Sequence, residues 1–210
     1  MQLSEQEIVR REKLKQLRNL GIAPYPAAMY KVTHHTSQAK ENFQEGMAVI
    51  LAGRLMSRRI QGKASFAELQ DSMGRIQLYF NRDEICPADD KTLYNEVYKK
   101  LLDIGDIIGV EGTLFTTKVG EKTVLVRNFT LLSKALRPLP LPKTDAEGNV
   151  YDEFNDPELR YRQRYVDLVV NPQVRDTFIK RTRITNSIRK FFNEKGYLEV
   201  ETPILQPIPG

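Results

Sequence analysis

Apolar and polar positions alternate with a period of two over residues 64 to 70 and again over 75 to 80. In the first stretch Ser65, Ala67 and Leu69 share one side, and Ala64, Phe66, Glu68 and Gln70 the other. In the second, Ile76, Leu78 and Phe80 oppose Arg75, Gln77 and Tyr79 across the strand. The Ser72-Met73-Gly74 turn between them makes the pair a hairpin. Residues 49 to 55, 107 to 116 and 123 to 132 supply three more apolar strand patterns, the last two joined through Val119-Gly120-Glu121. Between the third and fourth strands the spacing of Leu93, Val97, Leu101 and Leu102 changes to that of a helix over residues 91 to 102.

Five short strands with one helix after the third form the plan of an OB-fold barrel, in which the face of strands two and three binds oligonucleotides. A charged helix precedes it. Ser4 and Glu7 have capping-box spacing, the helix runs to about Leu20, and Gly21, Pro24 and Pro26 stop it. Its basic residues Arg10, Arg11, Lys13, Lys15 and Arg18 suit a solvated face or, less commonly, a nucleic-acid contact. After the barrel, Arg137-Pro138-Leu139-Pro140-Leu141-Pro142 is a stiff connector. Asp156-Pro157 starts a short helix through Tyr165, and Asn171-Pro172 repeats the device for a longer one ending at Gly196. Tyr197 to Val200 reads as a strand. The expected domains are an extension over 1–45, the barrel over 46–133, a linker over 134–156 and an α+β segment over 157–210.

Composition narrows the partners only a little. The 210 residues carry a net charge of +5, which permits a polyanionic partner without demanding one. Cys86 is the single cysteine, which fits a reducing cytosol and excludes a disulfide framework. His34 and His35 are adjacent, lack a metal-ligand pattern and read as loop residues, so no metal site is expected.

Phe66 is the anomaly, an aromatic on the polar side of its strand. Beside it lie Arg75, Gln77 and Tyr79, and the joining segment Arg58-Arg59-Ile60-Gln61-Gly62-Lys63 reads as a basic, flexible loop. Such a face suits unstacked bases: a ring stacks for about 1–3 kcal/mol per base, an amide reads a Watson–Crick edge, and arginine pairs with phosphate or base edges. The alternative is that Phe66 packs beneath a loop or a neighbouring domain.

The run Arg58-Arg59-x-x-Gly62-Lys63-Ala64-Ser65-Phe66, continued by Leu69-Gln70-Asp71 and Gly74-Arg75-Ile76-Gln77-Leu78-Tyr79, resembles the anticodon-binding barrel of the class II lysyl-tRNA synthetases. Arg10 to Leu14 with Leu20-Gly21-Ile22-x-Pro24-Tyr25-Pro26 is similar to that family's amino-terminal helix, and Lys134 to Pro140 to its interdomain connector. Arg160 to Leu168 resembles the start of its catalytic domain, and Gly196-Tyr197-Leu198-Glu199-Val200-Glu201-Thr202-Pro203 its motif 1. The order and spacing of these runs together carry the specificity.

The resemblance implies a mainly β fold with α elements: an amino-terminal helix, a five-stranded OB-fold barrel, then the first helices and strand of a class II α+β catalytic domain. It implies that Arg59, Phe66 and Gln77 read the central uridine of the tRNA(Lys) anticodon and that Glu121 contacts a flanking base. Arg58, Lys63, Arg75 and Tyr79 are further candidates for RNA contact. Gly196, Glu201 and Pro203 fall in the dimer-forming motif 1, and Gly210 matches the first glycine of a pair beside the amino-acid pocket. The parent enzyme is a cytoplasmic homodimer that uses ATP and magnesium to activate lysine and transfers it to tRNA. Nothing in this chain matches motifs 2 and 3, so it is expected to hold no catalytic residue and to bind none of those cofactors itself. The competing expectation is a stand-alone OB-fold nucleic-acid-binding module. Residues 1–210, freed of host synthetase, should therefore give no lysine-dependent ATP–pyrophosphate exchange above a buffer blank.

Overall fold

The computed structural model describes residues 3–145, 147–148, 150–151 and 153–203. The chain divides into two compact units, Met1–Leu139 and Pro140–Gly210. In the first, helix α1 (Glu5–Asn19) opens on the capping box read from the sequence: Ser4 Oγ accepts from the Glu7 amide, and the Glu7 carboxylate accepts from the Ser4 amide. A six-residue helix, α2 (Thr36–Glu41), follows. Then come strands β1 (Ala48–Gln61), β2 (Ala64–Gln70) and β3 (Arg75–Asn81), the helix Leu93–Leu101, and strands β4 (Ile107–Thr116) and β5 (Lys122–Ser133).

The strands close into a barrel of order β1-β2-β3-β5-β4. Closure depends on the length of β1: its first half pairs with β4, its second with β2, and Arg54 is opposite both Ile107 and Gln70. A Cβ added at Gly53, where the strand bends, would lie 2.5 Å from the Gln70 carbonyl oxygen, so no larger residue fits there. Leu51, Leu55, Leu69, Ile76, Leu78 and Phe80 fill the interior, as the period-two reading of β2 and β3 requires. The helix Leu93–Leu101 closes one end with a wide i→i+5 pitch. Tyr98 stacks on Phe80 at 4.1 Å between centroids, and the Tyr94 hydroxyl meets Ser65 Oγ at 2.8 Å.

The segment Arg58-Arg59-Ile60-Gln61, expected as a flexible loop, is the last third of β1. It continues the pairing with β2 up to the turn, with Arg59 opposite Phe66 and Gln61 opposite Ala64, while the same residues of β2 pair with β3 on their other side. The turn is only Gly62-Lys63, and Gly62 has φ 61°, a value an L side chain rarely adopts. His35, expected in a loop, is the cap residue of α2.

The basic face of α1 is also partly internal. Arg10 is buried and donates to the carbonyl oxygens of Ile104, Ala135 and Arg137 at 3.0 to 3.2 Å. Lys13 Nζ pairs with Asp103 at 2.5 Å. Lys134, fully buried, reaches Asp103 at 2.6 Å and both oxygens of the equally buried Asp106 at 2.9 and 3.0 Å. Burial pushes the Asp106 carboxyl up despite Lys134. For Asp103 burial acts the same way, but hydrogen bonds from Lys13 and Lys134 outweigh it and hold the carboxyl down.

In the second unit, Asp156 caps the helix Pro157–Arg162 through the Leu159 amide, at 2.7 Å. That helix stops three residues short of Tyr165, and Arg164–Val170 is a separate helix. Asn171 is the N-cap residue of the long helix Pro172–Glu194 and Pro172 opens it, but the Asn171 side chain makes no cap bond; its amide instead donates to Phe154 O at 3.1 Å and Asp167 Oδ1 at 2.7 Å. The Asp167 carboxylate also receives Arg160 and Arg164. Phe178, Ile184, Ile188, Phe191 and Phe192 are exposed along the long helix. Tyr197 to Val200 is not a strand, because no described segment supplies its backbone with a ladder partner. Gly196 ends the helix at φ 84°, and Glu201 and Pro203 are exposed in irregular chain. Gly210 lies outside the described residues. Among the described residues no helix is long and apolar enough to cross a membrane.

The Lys134 cluster gives a stability prediction. Lys134→Ala leaves Asp106 buried without its counter-charge, so urea unfolding should show a loss of about 3–5 kcal/mol. An unchanged midpoint would contradict the role assigned to this pair.

Candidate nucleic-acid interface

The outward face of β1, β2 and β3 is set by a β-bulge. Val49, Leu51 and Leu55 alternate inward, but Met56 is buried directly after Leu55, and the β1–β2 register slips between Leu55 and Ser57. One extra residue reverses the parity of everything after it. Ser57, Arg59 and Gln61 therefore face outward, and Arg58 turns toward the helix Leu93–Leu101. There the Arg58 guanidinium donates to the Tyr98 carbonyl oxygen and lies 5.5 Å over the Tyr98 ring. Arg59 takes the site position, 5.9 Å over the Phe66 ring.

Two rows cross this face. In the first, Arg59, Phe66, Tyr79 and Leu125 are successive register partners. Phe66 and Tyr79 lie 5.1 Å apart at 46°, and Tyr79 meets the edge of Phe115 at 5.9 Å. In the second, Ser57, Glu68, Gln77 and Thr123 succeed one another. Between the rows and the β4–β5 loop lies a cleft of about 630 Å³ lined by Lys40, Arg59, Phe66, Glu68, Gln77 and Glu121, with Ala67 and Ile76 also on its wall. Small-ligand sites occupy about 300–1,000 Å³. The ring of Phe66 is half-buried by its own sheet neighbours and borders this open cleft.

Glu121 is held at the rim by its loop: its carbonyl oxygen accepts the Thr117 amide and its amide donates to Thr117 Oγ1, both at 3.0 Å, with Gly120 at φ 85° between. Gln77 Nε2 donates to Thr123 Oγ1 at 3.1 Å. The other sequence candidates fall outside this arrangement in different ways. Arg75 is committed to Gln70 at 2.6 Å and Glu68 at 3.0 Å. Lys63 is exposed in the Gly62-Lys63 turn, at the end of the β1–β2 hairpin. Arg58, although its side chain reaches the cleft wall, is tied to Tyr98.

Lys40 is the site residue that sequence reading missed. It comes from α2, whose six residues give almost no periodic signal, and its Nζ lies 3.2 Å from Glu121 Oε1. Tertiary bonds fix α2 at both ends. Asp71 accepts from the Thr36 amide at 2.8 Å and hydroxyl at 2.6 Å, and Lys122 Nζ donates to the Lys40 carbonyl oxygen at 2.6 Å. Burial pushes the Asp71 carboxyl up, but bonds from Thr36 and from the Met73 and Gly74 amides prevail and hold it below the usual carboxylate range. Among the described residues no group of three or more His, Cys, Asp or Glu could hold a metal ion.

Residues 49–132 match the family described as OB-fold nucleic acid binding domain, and residues 156–210 the family of class II tRNA synthetases (D, K and N). The chain is 69% identical over 209 residues to a lysine–tRNA ligase of Christiangramia forsetii and 60% identical over 215 aligned positions to one of Porphyromonas gingivalis. The alignment covers all of this chain and 37% of either relative. A lysine–tRNA ligase of Azobacteroides pseudotrichonymphae is 58% identical over 99% of the chain and 42% of its own length.

The Asp71 clamp has a pH signature. Its carboxyl is depressed in the folded state, so the ionised form stabilises fully above the unfolded value of about 3.9 and that contribution vanishes as pH falls through the folded value. Thermal melts should therefore show wild type more stable than Asp71→Asn at neutral pH by about 1–2 kcal/mol. As pH falls below about 4 the gap should narrow, and below the folded value it should be gone. A gap that persists there would remove Asp71 as the clamp.

Proposed function

We propose, on the premise that this chain belongs to the lysine–tRNA ligase family, that the cleft on its barrel binds the anticodon of tRNA(Lys). Phe66 stacks on the central uridine, Gln77 reads that base's edge, and Arg59 reaches the base or the phosphate beside it. Glu121 accepts from a flanking base. The observation that supports this most is the convergence of Arg59, Phe66, Gln77 and Glu121, from three strands and a loop, on one cleft. Lys63 at the tip of the β1–β2 hairpin and Tyr79 beside Phe66 extend the surface toward the backbone of the RNA loop.

In the whole enzyme this module delivers tRNA to a homodimeric, cytoplasmic class II catalytic domain. There lysine would be activated at the expense of ATP, with magnesium supplying charge neutralisation for the phosphates, before its transfer to the tRNA 3′ end. Residues 156–210 fit the beginning of that domain, with Gly196, Glu201 and Pro203 in its dimer-forming motif and Gly210 at the edge of its amino-acid pocket. The match of these residues to a synthetase family weighs against a stand-alone binding module, which has no use for them.

Substitution of the stacking ring is the direct test. Phe66→Ala should weaken binding of a hairpin RNA with UUU in its loop by about 1–3 kcal/mol. The melting temperature should hold, because Phe66 borders the cleft and not the core. Fluorescence anisotropy and circular dichroism measure the two. A variant that unfolds while RNA affinity per folded molecule is unchanged would make Phe66 a packing residue instead.

A further inference from the structure

A glutamine amide is ambivalent. Its oxygen accepts, its nitrogen donates, and rotation by half a turn exchanges them. Uridine presents an N3–H donor at the centre of its pairing edge, whereas cytidine presents an N3 lone pair there. A freely rotating Gln77 could satisfy either base.

Thr123 removes that freedom. Its hydroxyl is fully buried at the start of β5, directly opposite Gln77 in the parallel β3–β5 register. Oγ1 lies 3.1 Å from the Glu121 carbonyl oxygen and 3.1 Å from the Gln77 side-chain amide. A carbonyl oxygen can only accept, so the single hydroxyl proton goes to Glu121. Oγ1 is then left with lone pairs alone, and Gln77 must turn its NH2 toward it. The Gln77 oxygen therefore faces the cleft as an acceptor, beside the remaining amide hydrogen.

We propose that Thr123 is a specificity-determining positioning residue: its committed hydroxyl locks the Gln77 amide in the orientation that accepts a pyrimidine's N3–H, and so selects uridine over cytidine. Cytidine in the same place would set its N3 lone pair against the Gln77 oxygen; to meet the remaining amide hydrogen instead, it must shift along the Gln77 edge, away from the position that stacking on Phe66 gives the base. This inference rests on the base-binding role given to the cleft above. It adds a residue that touches no RNA.

The test uses the full chain with two fluorescein-labelled hairpins, one with UUU in the loop and one with UCU. Thr123→Val keeps the branched shape, and the Glu121 carbonyl keeps its bond from the Thr117 amide at 3.0 Å. The preference for UUU over UCU should fall by about tenfold, in line with one hydrogen bond to a buried group. Thr123→Ser should keep the wild-type preference. In the wild type, nuclear Overhauser contacts should join the Gln77 side-chain NH2 to the Thr123 methyl, a readout that does not depend on the variant folding.

Full discrimination in a folded Thr123→Val, while Gln77→Ala loses it, would overturn the positioning role and leave the base-binding role intact. The absence of those Overhauser contacts would overturn the positioning role as well. No change in RNA binding with either Phe66→Ala or Gln77→Ala would overturn both.

Discussion

The extra residue between Leu55 and Ser57 is the constraint on which the nucleic-acid face depends. Without it β1 would alternate unbroken, Arg59 would point toward the end of the barrel, and Arg58 would stand beside Phe66. With it, each arginine takes a separate task. Arg58 covers the last turn of the helix Leu93–Leu101 and Arg59 overlies the ring of Phe66. A single insertion thus serves packing on one side of the sheet and recognition on the other.

The rest of the cleft follows from strands that are already fixed by the core. Phe66 and Gln77 stand on residues whose immediate neighbours, Ser65, Ala67, Ile76 and Leu78, are buried. Their positions are therefore as rigid as the barrel. A site on sheet elements holds its groups more tightly than one on loops. The loop residue Glu121 approaches the same rigidity through Thr117, and the short helix α2 through Asp71 and Lys122. The charge of the cleft is mixed, with Arg59 and Lys40 set against Glu68 and Glu121. A surface of mixed sign attracts phosphate less than an all-basic one does, which accords with the base-reading role proposed for it.

The alternating segments were the legible part of the sequence. β2 and β3 place their inward and outward residues where period two puts them, since one face is sealed and the other is wet. The end of β1, Arg58 to Gln61, was not legible, because its polar residues mask the strand period and only the pairing with β2 makes it a strand. Neither was α2, which exists through bonds to Asp71 and Lys122 that lie 35 and 82 positions away in sequence. Arg10 read as a solvated cation for the same reason: its three carbonyl partners are all remote. Tyr197 to Val200 has strand-like composition, but composition cannot supply a neighbouring strand. Among the candidate site residues, face assignment grouped Phe66 with Gln77, and the family resemblance added Arg59 and Glu121. Lys40 and Thr123 escaped both, one on an unreadable helix and the other a small hydroxyl residue at the start of β5, on the same face as Gln77 but covered.

Arg10 has a bearing on how this module could be inherited. The carbonyls it gathers come from the loop before β4 and from the segment leaving β5, and Lys13 completes the cluster around Asp103 and Lys134. A gene exchange that moved the strands alone would carry Asp106 and Lys134 along but leave Arg10 and Lys13 behind. Three carbonyl oxygens and one carboxylate would then lose partners on a single surface. Recombination that preserves folding must cut outside α1 at one end and beyond Arg137 at the other. The transferable cassette is the helix, the barrel and the segment that leaves β5 together.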